Sequence, residues 1–148
     1  MADLENSDVV KNLLNILIDI SGRKTDKGHA VFTLGSVMKK LETKYNFLKY
    51  IQIKDTRFIE DVETVYVVPE INDVTSSEIG EALQDIISTM DSSLGDSAGH
   101  FFIKEIRSRL DDNYRLSISD MGVDLSIMQL EKEVRDLEKS VIKRNTKI

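Results

Sequence analysis

Apolar residues along this chain fall into helical and strand rhythms that change several times. The best-specified stretch is 74–94. Ile79, Leu83, Ile86, Ile87, Met90 and Leu94 recur at three- and four-residue spacing, so they share one helix face. Thr75 is placed to cap this helix with Glu78 completing a capping box, Val74 and Ile79 to form a hydrophobic staple, and Gly95 to stop it. The pattern predicts that the rest of the chain is organised around this helix.

An earlier helix is predicted over 8–20, with Ser7 or Asn6 as cap. Its apolar positions are Val9, Val10, Leu13, Leu14, Ile16, Leu17, Ile18 and Ile20, more than one stripe. Such a helix is either packed on two sides or contributes to an interface. Leu13 and Leu17 are therefore candidate self-association residues. Residues 21–29 read as a loop, and a second helix is expected from Thr33 to about residue 45. The period then changes to two. Residues 47–53 and 62–68 alternate and are rich in β-branched and aromatic residues, with the only proline, Pro69, at the end. They predict a small antiparallel hairpin or meander over 47–68, with 56–59 as a possible third strand.

After Gly95 the pattern returns to helix over about 97–110, expected antiparallel to the 74–94 helix, with Phe101 and Phe102 as a core cluster. A short helix to about residue 120 follows, ended by Gly122. The last helix, about 125–143, has a different rhythm. Ile127, Leu130, Val134, Leu137 and Val141 are spaced three, four, three, four, the a/d pattern of a coiled coil over two heptads. Glu131, Glu133 and Glu138 flank that seam, and Lys132, Arg135 and Lys139 lie outside it. Either the seam docks on its own domain or it pairs with another chain.

The fold class that follows is α+β, mostly helical, with five to six helices around a small antiparallel hairpin or meander. Residues 1–123 form one globular domain, and 124–148 form a heptad-patterned appendage for docking or self-association. At 148 residues the chain is long enough to bury a core without metals or disulfides.

Charge adds a pattern that the net value of −6 conceals. Residues 21–54 carry a net +6 and residues 55–101 a net −10. Either the two blocks attract each other, or the basic one meets an anionic partner. A helix at 33–45 followed by a hairpin at 47–68 is the order used by winged-helix proteins. Lys39, Lys40, Lys44 and Lys49 could then contact phosphates, with Tyr50, beside Tyr45 and Phe47, stacking on bases. The acidic second half of the hairpin weighs against this reading.

Catalytic signatures are missing. There are two histidines, no cysteine and no tryptophan, and no Walker loop, dinucleotide fingerprint, HExxH or Gly-x-Ser-x-Gly elbow. His29 reads as a loop residue and His100 as a boundary residue. Glu60, Asp61 and Glu63 form the densest acidic group, in an expected turn. No catalytic residue, cofactor or metal is assigned. A small-molecule pocket lined by Phe101, Phe102, Tyr50 or Tyr66 is a further alternative. No apolar run approaches the length of a membrane span, and the lack of cysteine fits the cytoplasm. The expected function is a non-catalytic interaction or regulatory module, a homo-oligomer (a dimer first) or the binder of another protein. Nucleic-acid binding is the alternative.

Overall fold

The computed structural model describes residues 4–54 and 64–145, with side chains described to residue 141. Six α-helices and one two-stranded antiparallel sheet make up the described residues: α1 (Asn6–Lys24), α2 (Lys27–Leu41), β1 (Ile51–Ile53), β2 (Val65–Val67), α3 (Ser76–Leu94), α4 (Phe102–Arg109), α5 (Asp112–Asp120) and α6 (Leu125–Asn145). The fold is mostly helical α+β, as its sequence pattern implies. The possible third strand at 56–59 lies outside the described residues.

The hub of the fold is α1, not α3. All eight of its apolar positions are 8% exposed or less. It packs against α2, α3, α4, α5 and β2. A helix apolar around most of its circumference has to be surrounded, and here one chain suffices to surround it. Leu13 and Leu17 are 0% exposed. They are core residues, and no part of either reaches the surface to meet a second molecule. The start of α1 is fixed by polar contacts rather than by an Asn6 or Ser7 cap. Glu5 is the N-cap residue, and its N–H donates to the Asp8 carboxylate at 3.2 Å. Asn6 instead donates to the Val74 carbonyl at 2.8 Å, and the Ser7 N–H donates to Asn72 at 2.9 Å. These bonds tie α1 to the 3-10 turn at Pro69–Asp73.

Two boundaries differ from expectation, each for its own reason. The segment 21–29 is not a loop: α1 continues through Gly22 to Lys24, and α2 begins at Lys27. Asp26 caps α2 by accepting from the His29 N–H at 2.8 Å. A polar stretch with a good cap and short helix ends reads as loop only when the cap is overlooked. The hairpin is shorter than its alternation suggested. Residues Asn46–Tyr50 form a 3-10 turn that folds Leu48 into the core. The strands pair Ile51 with Val67, Gln52 with Tyr66 and Ile53 with Val65. This register buries Ile51 and Val65 against the helices and leaves Gln52 and Tyr66 exposed.

The extent of α3 matches its signals. Thr75 is the N-cap residue and Gly95 the C-cap, at φ 56°, a conformation glycine adopts without strain. The expected capping box is absent, because the Thr75 side chain makes no cap hydrogen bond. Gly80 serves another purpose. A Cβ there would lie 2.0 Å from the Met121 carbonyl oxygen, so the α5–α6 connection rests directly on the α3 backbone. Nor does α4 run back along α3. A 3-10 turn at Gly95–Ala98 redirects the chain, and α4 packs on α1 and α6. Only Phe102 joins the core. Phe101 is 51% exposed, its ring edge-on to His100.

Candidate interaction surface

The last helix has two faces, and it is attached by the less expected one. Asp124 caps α6 through the Ile127 N–H at 3.0 Å. Leu125 and Met128 then continue the core. Further along the same face come Gln129, Lys132 and Asp136, and each is held by the body of the domain. Gln129 donates to the His100 carbonyl at 3.1 Å and accepts from the Lys104 N–H at 3.0 Å. Lys104 lies in the first turn of α4, where backbone N–H groups have no partner within the helix. Gln129 therefore caps α4 from another element, a role Phe101, at the N-cap position, has no side-chain acceptor to fill.

One turn on, the Lys132 ammonium lies 2.5 Å from the Asp91 carboxylate of α3, with both side chains under 10% exposed. The Arg135 guanidinium approaches the other Asp91 oxygen at 3.9 Å. The Asp136 carboxylate pairs with the His100 ring at 2.7 Å. That hydrogen bond, more than any other influence, holds the Asp136 carboxyl below the ordinary carboxylate range. These groups line a polar cleft of about 350 Å³ with Gly95, Gly99 and Lys139. Its acids and bases largely neutralise one another in pairs. The pairs fasten α6 to α3 and to the turn before α4.

With the polar face clamped, the seam points outward. Ile127, Leu130, Val134, Leu137 and Val141 are 47–66% exposed. They form a stripe on α6 about 21 Å long at 1.5 Å per residue. Beyond Asp136 the described side chains of α6, to Val141, are all exposed. A rule that puts apolar faces inside would dock the seam in cis. The buried ion pair and the Gln129 bridge select the opposite orientation. The sequence signal was present in Leu125, Met128, Gln129, Lys132 and Asp136, which share a face at helical spacing, but the identity of the polar partners of Gln129, Lys132 and Asp136, 25 to 41 residues away, was not readable.

The basic segment is arranged differently from a stacking platform. Lys39, Lys40 and Lys49 are exposed. Lys44, however, bridges to Asp85 at 3.0 Å, which links the basic and acidic blocks within the fold. Tyr45 is buried and donates its hydroxyl to Asp85. Tyr50 is half-buried with the Lys49 ammonium 5.5 Å from its ring centre. The aromatic interleaving thus closes on the protein itself. The four candidate pocket aromatics are also dispersed. Phe102 is sealed in the core, Tyr66 is on the solvent face of β2, and Tyr50 borders a shallow hollow with Phe47, Thr75 and Glu78. Glu60, Asp61 and Glu63 lie outside the described residues. Among the described residues, no helix is long and apolar enough to cross a membrane.

Compared with known proteins, the chain matches no family model, no curated protein and no solved structure.

Proposed function

We propose that the protein is a non-catalytic interaction module whose working surface is the outward seam of α6, and that it associates by laying this seam against another apolar helix face. A second copy of the chain is the simplest such face. The observation that supports this reading most is the unbroken stripe Ile127, Leu130, Val134, Leu137 and Val141, half to two-thirds exposed on a helix whose opposite face is tied down. Other exposed large apolar residues, such as Phe32 and Leu116, stand on other elements; single ones are ordinary on a protein surface.

Magnitudes support association without making it tight. Fully burying a Val, Leu or Ile side chain yields roughly 1.5–3 kcal/mol. Five residues that are already about half buried would yield about 5 kcal/mol per helix, or about 10 kcal/mol for two facing seams. Association costs an estimated 4–15 kcal/mol in lost freedom. A pairing of two such stripes therefore sits near balance, as expected of a regulated or reversible contact. Sedimentation velocity over a wide concentration range tests the reading. The expected result is a shift, with the chain's own concentration or on addition of a helical peptide bearing an apolar seam, that disappears in Leu130→Glu/Leu137→Glu while the far-ultraviolet circular dichroism is unchanged. A chain that stays monomeric at every concentration, and takes up no helical partner through the seam, refutes it.

A further inference from the structure

We infer that the seam's occupant is a single helix of a different protein, apolar along its own seam and flanked there by lysine or arginine, in preference to a second copy. The inference rests on the reading of α6 as an association surface and adds the chemistry of the partner. In the coiled-coil register, Ile127, Val134 and Val141 occupy a positions, and Leu130 and Leu137 occupy d positions. In a parallel pairing, β-branched residues at a with leucine at d favour two strands. One helix, not a bundle, fits this seam.

The positions beside the seam set the charge of that helix. Glu131 and Glu138 fall at e, and Ser126, Glu133 and Ser140 at g. The flanks therefore carry three carboxylates and no base. The cations of the same helix whose side chains are described are elsewhere: Lys132 and Arg135 are turned to Asp91, and Lys139 lines the clamp cleft. Among the described residues neither Glu131 nor Glu138 has a basic partner at ion-pair distance, and both are exposed. Glu133 accepts from Gln129 at 3.3 Å and lies 4.0 Å from the His100 ring, with its carboxylate still over a third exposed.

A second copy meets these flanks with the wrong sign. In a parallel pair, each g residue faces the e residue five positions on, which sets Glu133 against Glu138 of the second copy. In an antiparallel pair centred on Val134 and Leu137, e faces e, which sets Glu131 against Glu138 of the second copy. Symmetry repeats either clash on the other side. Two facing seams already sit near balance, so flank charge decides between occupants. A partner with lysine or arginine at its e and g positions converts every clash into an attraction. It also accelerates encounter, because unlike charges steer the approach.

The test uses the full chain and two designed three-heptad peptides with identical isoleucine and leucine seams. One carries lysine at every e and g position, and the other carries glutamate. Binding is read by fluorescence anisotropy at low and high salt. The lysine peptide should bind at least roughly tenfold more tightly than the glutamate peptide at low salt. The ratio should collapse toward one at about 1 M salt, where the screening length is about 3 Å. Glu131→Lys/Glu138→Lys should invert the preference, which a role for these residues in folding alone would not do. Equal affinities for the two peptides overturn the charge selection and leave the seam as an association surface. A chain that dimerises and excludes both peptides overturns it in favour of a second copy. If neither peptide binds and the chain remains monomeric, both this inference and the proposed function fail.

Discussion

Removing the Lys132 ammonium tests the clamp that turns α6 outward. Lys132→Met keeps the length and apolar stem of the side chain and deletes the charge. It leaves the Asp91 carboxylate 8% exposed with only Arg135, at 3.9 Å, as a cation. Breaking a buried pair by removing one member costs about 3–5 kcal/mol, because the surviving charge is stranded. Arg135 and the polar cleft moderate this, so about 3 kcal/mol is expected. Asp91→Leu/Lys132→Met, which removes both charges, should recover to within about 1 kcal/mol of the parent, since apolar replacement of a whole pair is often neutral. With no tryptophan in the chain, urea unfolding is best followed by helical circular dichroism. At a urea dependence of about 2 kcal/mol/M, the single variant should lose about 1.5 M in midpoint. A Lys132→Met loss below about 1 kcal/mol, or a double variant no better than the single one, would refute the assignment of Asp91–Lys132 as the clamp.

Other substitutions separate core from seam and space from clash. Leu13→Ala should cost about 3–5 kcal/mol, the range for a fully buried leucine, whereas Leu137→Ala should change the stability of the dilute chain by less than about 0.5 kcal/mol; chemical denaturation measures both. Gly80→Ala should destabilise by about 2 kcal/mol despite the better helix propensity of alanine, because its Cβ meets the Met121 carbonyl. Gly35→Ala, in α2 with nothing within 4 Å of the new Cβ, should instead stabilise by up to about 1 kcal/mol; paired melting curves decide both. Burial, and then the hydrogen bond to Asp85, raises the Tyr45 hydroxyl from 10.0 to about 12. The fold thus favours the protonated phenol, so its contribution is full below pH 10 and is lost as pH climbs through 12. Tyr45→Phe should flatten that alkaline limb in a pH series of unfolding curves.

How legible the fold was in the sequence depended on how local each signal was. Gly95 marked the end of α3 because a helix stop is encoded within one turn, and the seam of α6 was visible because a heptad repeat needs no tertiary context. The hub role of α1 was only half readable. Its surplus of apolar positions demanded cover, but eight leucine, isoleucine and valine residues do not state whether the cover comes from the same chain. Asp26 was missed as a cap because the polar residues around it resemble a loop. The 3-10 turn at Asn46–Tyr50 overrode a β alternation because burying Leu48 depends on a core formed elsewhere. The clamp was the least legible feature. Asp91 and Lys132 are 41 residues apart, each unremarkable on the solvent side of its own helical pattern. Their juxtaposition, with the Gln129 bridge, explains why the polar face of α6 is the one that docks.

The α6 seam is uncovered in one chain and, on the proposed function, covered on association. Because the chain has no cysteine, a thiol introduced by Leu137→Cys would be its sole alkylation target, and its rate of modification reads that cover directly. Rapid alkylation in the dilute chain, slowed at least about tenfold when a seam-binding helix saturates it, is the predicted result. Slow alkylation of the dilute chain, or a rate indifferent to the bound helix, would contradict it.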